Sequence, residues 1–120
     1  MGNVYPIILL IVLHYIGDFL LQTREMANNK SKDNEWLALH VLAYSMVFFF
    51  GMILFYDYFV SIIFMSITFV CHFFTDYVTS RLTSYCYKKN QIYNFFAIMG
   101  FDQVLHLVQL ILTLKLIQQL

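Results

Sequence analysis

Proline occurs once in these 120 residues, glycine four times and cysteine twice, and only 12% of the chain is charged. Each shortage excludes something. With so few turn-forming residues the chain reads as a few long helices. Charge at half the usual share leaves too little polar surface to coat a water-soluble core. Cys71 and Cys86 are too few for a disulfide framework and form no CxxC zinc or redox motif. Cys71, inside an apolar run, reads as packing. A net charge of zero with no basic stretch gives no nucleic-acid footprint. What is abundant is apolar: 61% of the residues, with thirteen Phe and nine Tyr.

The apolar residues fall into four segments: Val4–Gln22, Leu37–Tyr56, Tyr58–Thr79 and Ile98–Gln118. Each is about the 20 residues that cross a bilayer core. The expected fold is all-α: one membrane domain over residues 1–120, a polytopic four-helix bundle in the cytoplasmic (inner) membrane. The first segment is not a cleaved signal peptide on this reading. Met1–Tyr5 carries no charge, no small-residue cleavage site follows, and the run ends in Asp18, Gln22 and Arg24. Asp57 separates the second and third segments so briefly that they must form an antiparallel hairpin. Loops are expected over residues 23–36 and 80–97. They hold Arg24, Lys30, Lys32, Arg81, Lys88 and Lys89, against Lys115 alone on the other side. That bias puts both loops in the cytoplasm and both termini outside. Trp36 and the Tyr and Phe residues at segment ends read as interfacial anchors, with Tyr93–Phe96 lying flat on the surface.

Each histidine stands four residues from a polar partner: His14 and Asp18, His40 and Tyr44, His72 and Asp76, Asp102 and His106. That spacing puts both members on one helix face. Two segments run inward and two outward, yet every pair comes within roughly 12–15 Å of the cytoplasmic face. An Asp inside a membrane span costs roughly 2.5–3.5 kcal/mol, so Asp18, Asp76 and Asp102 are expected to turn inward and find partners. Neutral imidazoles and carboxylates ligate Zn²⁺, Mn²⁺ or Fe²⁺. The candidate ligands are His14, Asp18, His40, His72, Asp76, Asp102 and His106. Gln22 and Gln103 are candidates to orient them, and Lys30 and Arg81 to bind an anionic headgroup at the mouth. Tyr44 is a general acid, an oxyanion donor or a core tyrosine with its hydroxyl satisfied. The bland alternative for the whole set is a hydrogen-bond network holding the helices together.

The motifs H-x3-D-F-x2-Q (His14, Asp18, Phe19, Gln22), a first-loop lysine (Lys30 or Lys32), H-x3-Y (His40, Tyr44), H-x3-D-Y (His72, Asp76, Tyr77) and D-Q-x2-H (Asp102, Gln103, His106) cover nearly the whole chain. In that order they resemble a family of small bacterial and phage integral membrane proteins known only as a domain of unknown function. The resemblance implies a four-helix membrane protein and no particular activity. More loosely, the His- and Asp-bearing segments look like those of membrane-bound metal-dependent hydrolases.

Three functions compete. The first is a metal-dependent hydrolase acting on a lipid headgroup or phosphorylated amphiphile, with one of Asp18, Asp76 and Asp102 as general base. The absence of GxSxG argues against acyl-enzyme chemistry. The second is transport of protons, metal ions or a small solute along the polar stripe of the third segment (Ser61, Thr68, His72, Thr75, Asp76, Thr79) and the fourth (Asp102, His106, Gln109, Thr113). Ile7, Ile8 and Ile11 offer nothing polar to such a path, and four spans would need a homo-oligomer. The third is a small membrane partner protein, such as a phage factor, whose polar groups are structural. Membrane lipids are the expected partners throughout.

Overall fold

The computed structural model describes residues 4–120; the uncharged start, Met1–Asn3, lies outside the described residues. Five α-helices follow one another: α1 (Tyr5–Tyr15), α2 (Arg24–Asn29), α3 (Asn34–Met52), α4 (Tyr58–Lys88) and α5 (Ile92–Ile117), with a π-helical turn over Ile16–Leu20 continuing α1. No strand occurs among the described residues.

The boundaries have local causes. Pro6 sits in the first turn of α1, where its missing N–H costs nothing. Thr23 Oγ1 accepts from Met26 N at 3.2 Å and so caps α2. Asp33 caps α3 through Glu35 N (2.9 Å), and Asp57 caps α4 through Val60 N (2.9 Å). The α4–α5 reversal turns on Asn90, the one non-glycine residue with positive φ (57°) among those described. Its short polar side chain tolerates that left-handed conformation.

α3, α4 and α5 are long and apolar enough to cross a membrane, and Tyr5–Leu20 is shorter. The helices outrun the apolar segments that announce them. α4 continues nine residues past Thr79 to Lys88, and α5 begins at Ile92, so residues 89–91 alone make the turn. The loop expected over 80–97 is mostly helix, and Tyr93–Phe96 is the start of α5 rather than a separate surface stretch. At about 1.5 Å per residue, α4 measures roughly 46 Å, the full long axis of the molecule (45 Å). The 23–36 loop likewise contains α2.

The bundle has two unlike ends. The hairpin end, with the α3–α4 turn, packs Leu10, Phe48, Met52, Phe64, Leu114 and Ile117. The loop end, with α2 and the α4–α5 turn, buries Asp18, His40, His72, Asp76 and Ser80 instead. Large apolar side chains such as Phe50, Phe59, Phe74, Phe101 and Leu112 cover the outside. Polar inside and apolar outside is the reverse of a soluble domain.

Candidate metal centre

Four helices and the π turn each bring a polar group to one place near the loop end. The π turn sets the first. An extra residue in the turn re-aims Asp18 relative to His14, and π turns recur at functional sites. Gly17 lets this turn approach α3 closely: a Cβ there would come within 2.7 Å of the Tyr44 ring. Tyr44 cannot easily yield, because its ring stacks on His72 (centroids 3.8 Å apart) and His72 stacks on His106 (4.0 Å). This column of three rings holds two imidazoles by their faces and turns their edges to the carboxylates.

The centre itself is made by His40 and His72 with Asp18 and Asp76. His40 Nε2 lies 3.0 Å from Asp18 Oδ1 and 3.3 Å from Asp76 Oδ2. His72 Nε2 lies 3.5 Å from the same Asp18 oxygen, 3.4 Å from the same Asp76 oxygen and 3.2 Å from His40 Nε2. One oxygen of each carboxylate is within 4.8 Å of the other members, so the group can hold a metal ion. Ligands about 2.0–2.2 Å from a tetrahedral ion stand about 3.3–3.6 Å apart, and the five separations cluster about those values. Hydrogen bonding alone fits poorly. Each Nε2 carries either one proton or one lone pair, yet each faces three polar atoms. Asp18 Oδ1 accepts no hydrogen bond, although His40 Nε2 is at hydrogen-bond length. The Nδ1 atoms of His40, His72 and His106 have no partner among the described residues, so each ring spends all its polar reach on the centre.

α5 closes the other side. His106 Nε2 lies 3.1 Å from Asp76 Oδ1 and 3.0 Å from Asp102 Oδ1. Asp102 also accepts from Thr79 Oγ1 (2.6 Å) and Gln103 Nε2 (3.0 Å). α4 and α5 are thus joined by three polar rungs: Asp76 to His106, Thr79 to Asp102, and Gln109 Nε2 donating to Thr75 Oγ1 at 2.7 Å. From α2's end, Lys30 Nζ reaches Asp76 Oδ2 at 3.0 Å. Burial alone would lower the Lys30 pKa, but the nearby Asp76, Asp18 and Asp102 carboxylates outweigh it and hold the group above its ordinary value.

Other expected site residues land elsewhere. His14 stands to one side: Nδ1 is 2.8 Å from the Tyr44 hydroxyl, Nε2 is 2.7 Å from Gln103 Oε1, and its approach to Asp18 is 3.9 Å. Both its nitrogens are spoken for, so it braces Tyr44 and Gln103 rather than facing the four-residue group. Tyr44 is buried with its hydroxyl partnered. Gln22 donates to the Asp18 carbonyl (3.2 Å) and lines the cavity described below. Arg81 points outward, bonding Asn34 Oδ1 (2.8 Å) and lying over the Tyr77 ring (3.7 Å). Thr79 stands in the polar stripe of the third segment, but its bond to Asp102 could not be read from spacing within one segment, because that partner comes from α5.

A cavity of about 620 Å³ adjoins this centre toward the loop end, lined by Asp18, Asp76 and Asp102 and by Lys30, Lys32 and Lys88. Ser80, Thr83 and Ser84 add hydroxyls, and Phe19, Phe95 and Met99 add an apolar side. Phe19 and Met99 are both exposed at this side of the cavity, next to the apolar outer surface.

Residues 7–120 match the model of a family described as "Protein of unknown function (DUF3307)". No curated protein and no solved structure matches the chain.

Proposed function

The chain belongs to the DUF3307 family of proteins of unknown function, and we propose from its site that it is a metal-dependent hydrolase of phosphate esters at the cytoplasmic face of the inner membrane. Tyr5–Leu20 is the fourth crossing in this reading, short because Asp18 and Gln22 already stand at the interface. The Lys and Arg bias of the loop end supports a cytoplasmic position for it. The observation that carries the reading is the close gathering of His40, His72, Asp18 and Asp76, whose two carboxylates line an open cavity that also carries Lys30, Lys32 and Lys88.

Charge supports it. Asp18, Asp76 and Asp102 carry three negative charges and Lys30 one positive, so neutral histidines leave a surplus of two, which one divalent cation cancels. Zn²⁺, Mn²⁺ and Fe²⁺ all suit two imidazoles and two carboxylates. The bound ion acidifies a water molecule. Asp102 faces the cavity, fixed by Thr79 and Gln103, and accepts that water's proton. The water oxygen bonds to phosphorus, the bond from phosphorus to the alcohol oxygen breaks, and the departing oxygen takes up a proton. Lys30 and Lys32 would receive the phosphate, while the exposed Phe19 and Met99 would pack against an alkyl tail.

A conducting path finds less support. Ser61 and Thr68 continue the polar stripe, but Phe64 stands between them and packs with Phe48 and Leu114 to fill the core there. The test is metal content and hydrolysis of a phosphorylated amphiphile by the detergent-purified protein. A stoichiometric transition metal, lost in His72→Ala together with activity, is expected. Wild type that binds no metal when loaded would end the reading.

A further inference from the structure

Asp76 divides its two oxygens between two donor sets. Oδ2 faces His40, His72 and Lys30. Oδ1 faces His106, and His106 with Asp102 and Asp18 forms a second buried group whose ligand atoms lie within 4.8 Å of one another. The separations there, 3.0 Å from His106 Nε2 to Asp102 Oδ1 and 3.1 Å to Asp76 Oδ1, match those of the first set. Asp18 belongs to both groups. We propose that the centre holds two divalent cations, one between His40 and His72 and one between His106 and Asp102, with Asp18, the member common to both groups, and Asp76 standing between them, and that the pair takes a phosphate monoester dianion.

The bridge follows from the chemistry of the groups. A carboxylate presents its two oxygens to cations on two sides, and paired ions in hydrolytic sites stand about 3.5–4 Å apart, a span one carboxylate covers. His106 Nε2 has two carboxylate oxygens at nearly equal distance. A proton on that nitrogen can be shared between the two oxygens as a hydrogen bond; with the ring neutral and its lone pair turned to them, a cation among the three would be required.

The substrate class follows from charge. One ion brings the centre to neutrality and leaves only the cavity's outer lysines, Lys32 and Lys88, to draw an anion. A second leaves two positive charges, which a phosphate dianion in the lysine-bearing cavity cancels. In this arrangement Asp102 would be a ligand rather than the base, and the two ions would lower the pKa of a water molecule far enough for it to lose its proton to solvent.

The inference rests on the metal reading above, and the experiment separates the two. Detergent-purified wild type is loaded with Mn²⁺, desalted and assayed for metal. Two ions per chain are expected. One ion overturns the second site and keeps the first; none overturns both. The electron paramagnetic resonance spectrum of the loaded protein should be that of a magnetically coupled pair, and a spectrum of isolated ions overturns the bridge even at a ratio of two. His106→Ala should retain one ion with an uncoupled spectrum. If that variant fails to fold, the wild-type spectrum still decides.

Inorganic phosphate should bind the doubly loaded wild type at least tenfold more tightly than His106→Ala or, should that variant be unstable, than wild type loaded with a single equivalent. Equal binding overturns the dianion assignment. Displacement of bound phosphate by micelles containing phosphatidic acid identifies a lipid source, and displacement by glycerol phosphate alone a soluble one. Displacement by neither overturns the monoester class.

Discussion

The two halves of this bundle are made by the same helices and held together by different forces. In the hairpin half, Leu10, Phe48, Met52, Phe64 and Leu114 fill space. In a bilayer, where lipid tails are as apolar as these side chains, their contribution would be fit alone. In the loop half, Asp18, His40, His72, Asp76, Asp102 and His106 fill the same axis with groups that each need a particular partner at a particular angle. A filler position accepts another apolar residue of similar volume. A partnered position does not, because losing one member strands the others in a medium that cannot solvate them. The rungs between α4 and α5 use Asp76, Asp102 and His106; the gathering of Asp18, His40 and His72 goes beyond what that joint needs, and it is this surplus that supports a chemical role.

The sharpest way to break the comparison is to make the loop half resemble the hairpin half at its hub. Asp76→Leu leaves Lys30 without its partner and removes a ligand from both donor sets. Metal binding is expected to vanish, and stability in detergent to fall by about 3–5 kcal/mol, read by metal analysis and by denaturation. Next, Phe64→Ala empties space beside Phe48, whose ring lies 5.8 Å away. It is expected to cost about 2 kcal/mol, the cavity part of the usual Phe→Ala loss, with metal content unchanged. Gly17→Ala sits where the halves meet. The added methyl group forces the Tyr44 ring off His72, and metal affinity is expected to drop roughly 10–100-fold, as when a supporting residue is lost. A calorimetric titration showing wild-type affinity would mean that the ring column positions nothing. Arg81→Ala, on the outer surface, should stay within about 0.5 kcal/mol of wild type and bind metal normally.

The hydropathy pattern revealed the long helices and, through Asp57, where one hairpin turns. It did not reveal where the helices stop. Residues 80–88 carry Arg81, Tyr85, Tyr87 and Lys88, a mixture that ends an apolar run but not a helix, because backbone bonding continues as long as Ser80 and Cys86 have something to pack on. The histidines and aspartates were legible as a set because charged groups in apolar segments are costly wherever they point. Their division of labour was not. Whether His14 faces the four-residue group or Tyr44 depends on the π turn at Ile16–Leu20, and nothing in I-G-D-F-L announces a fifth residue in one turn. Arg81 has the right charge near the right end, but its direction is set by Asn34 and Tyr77, one of them on another helix.

The three rungs between α4 and α5 have a consequence for how the molecule is assembled. Two greasy rods side by side in lipid can slide past each other at little cost. Thr75 with Gln109, Asp76 with His106, and Thr79 with Asp102 match at one alignment only, since a slip of one turn mispairs all three at once. The C-terminal pair therefore sets its own stagger without help from α1 or α3, and presents His72, Asp76, Asp102 and His106 as a finished half-socket for the N-terminal helices to close.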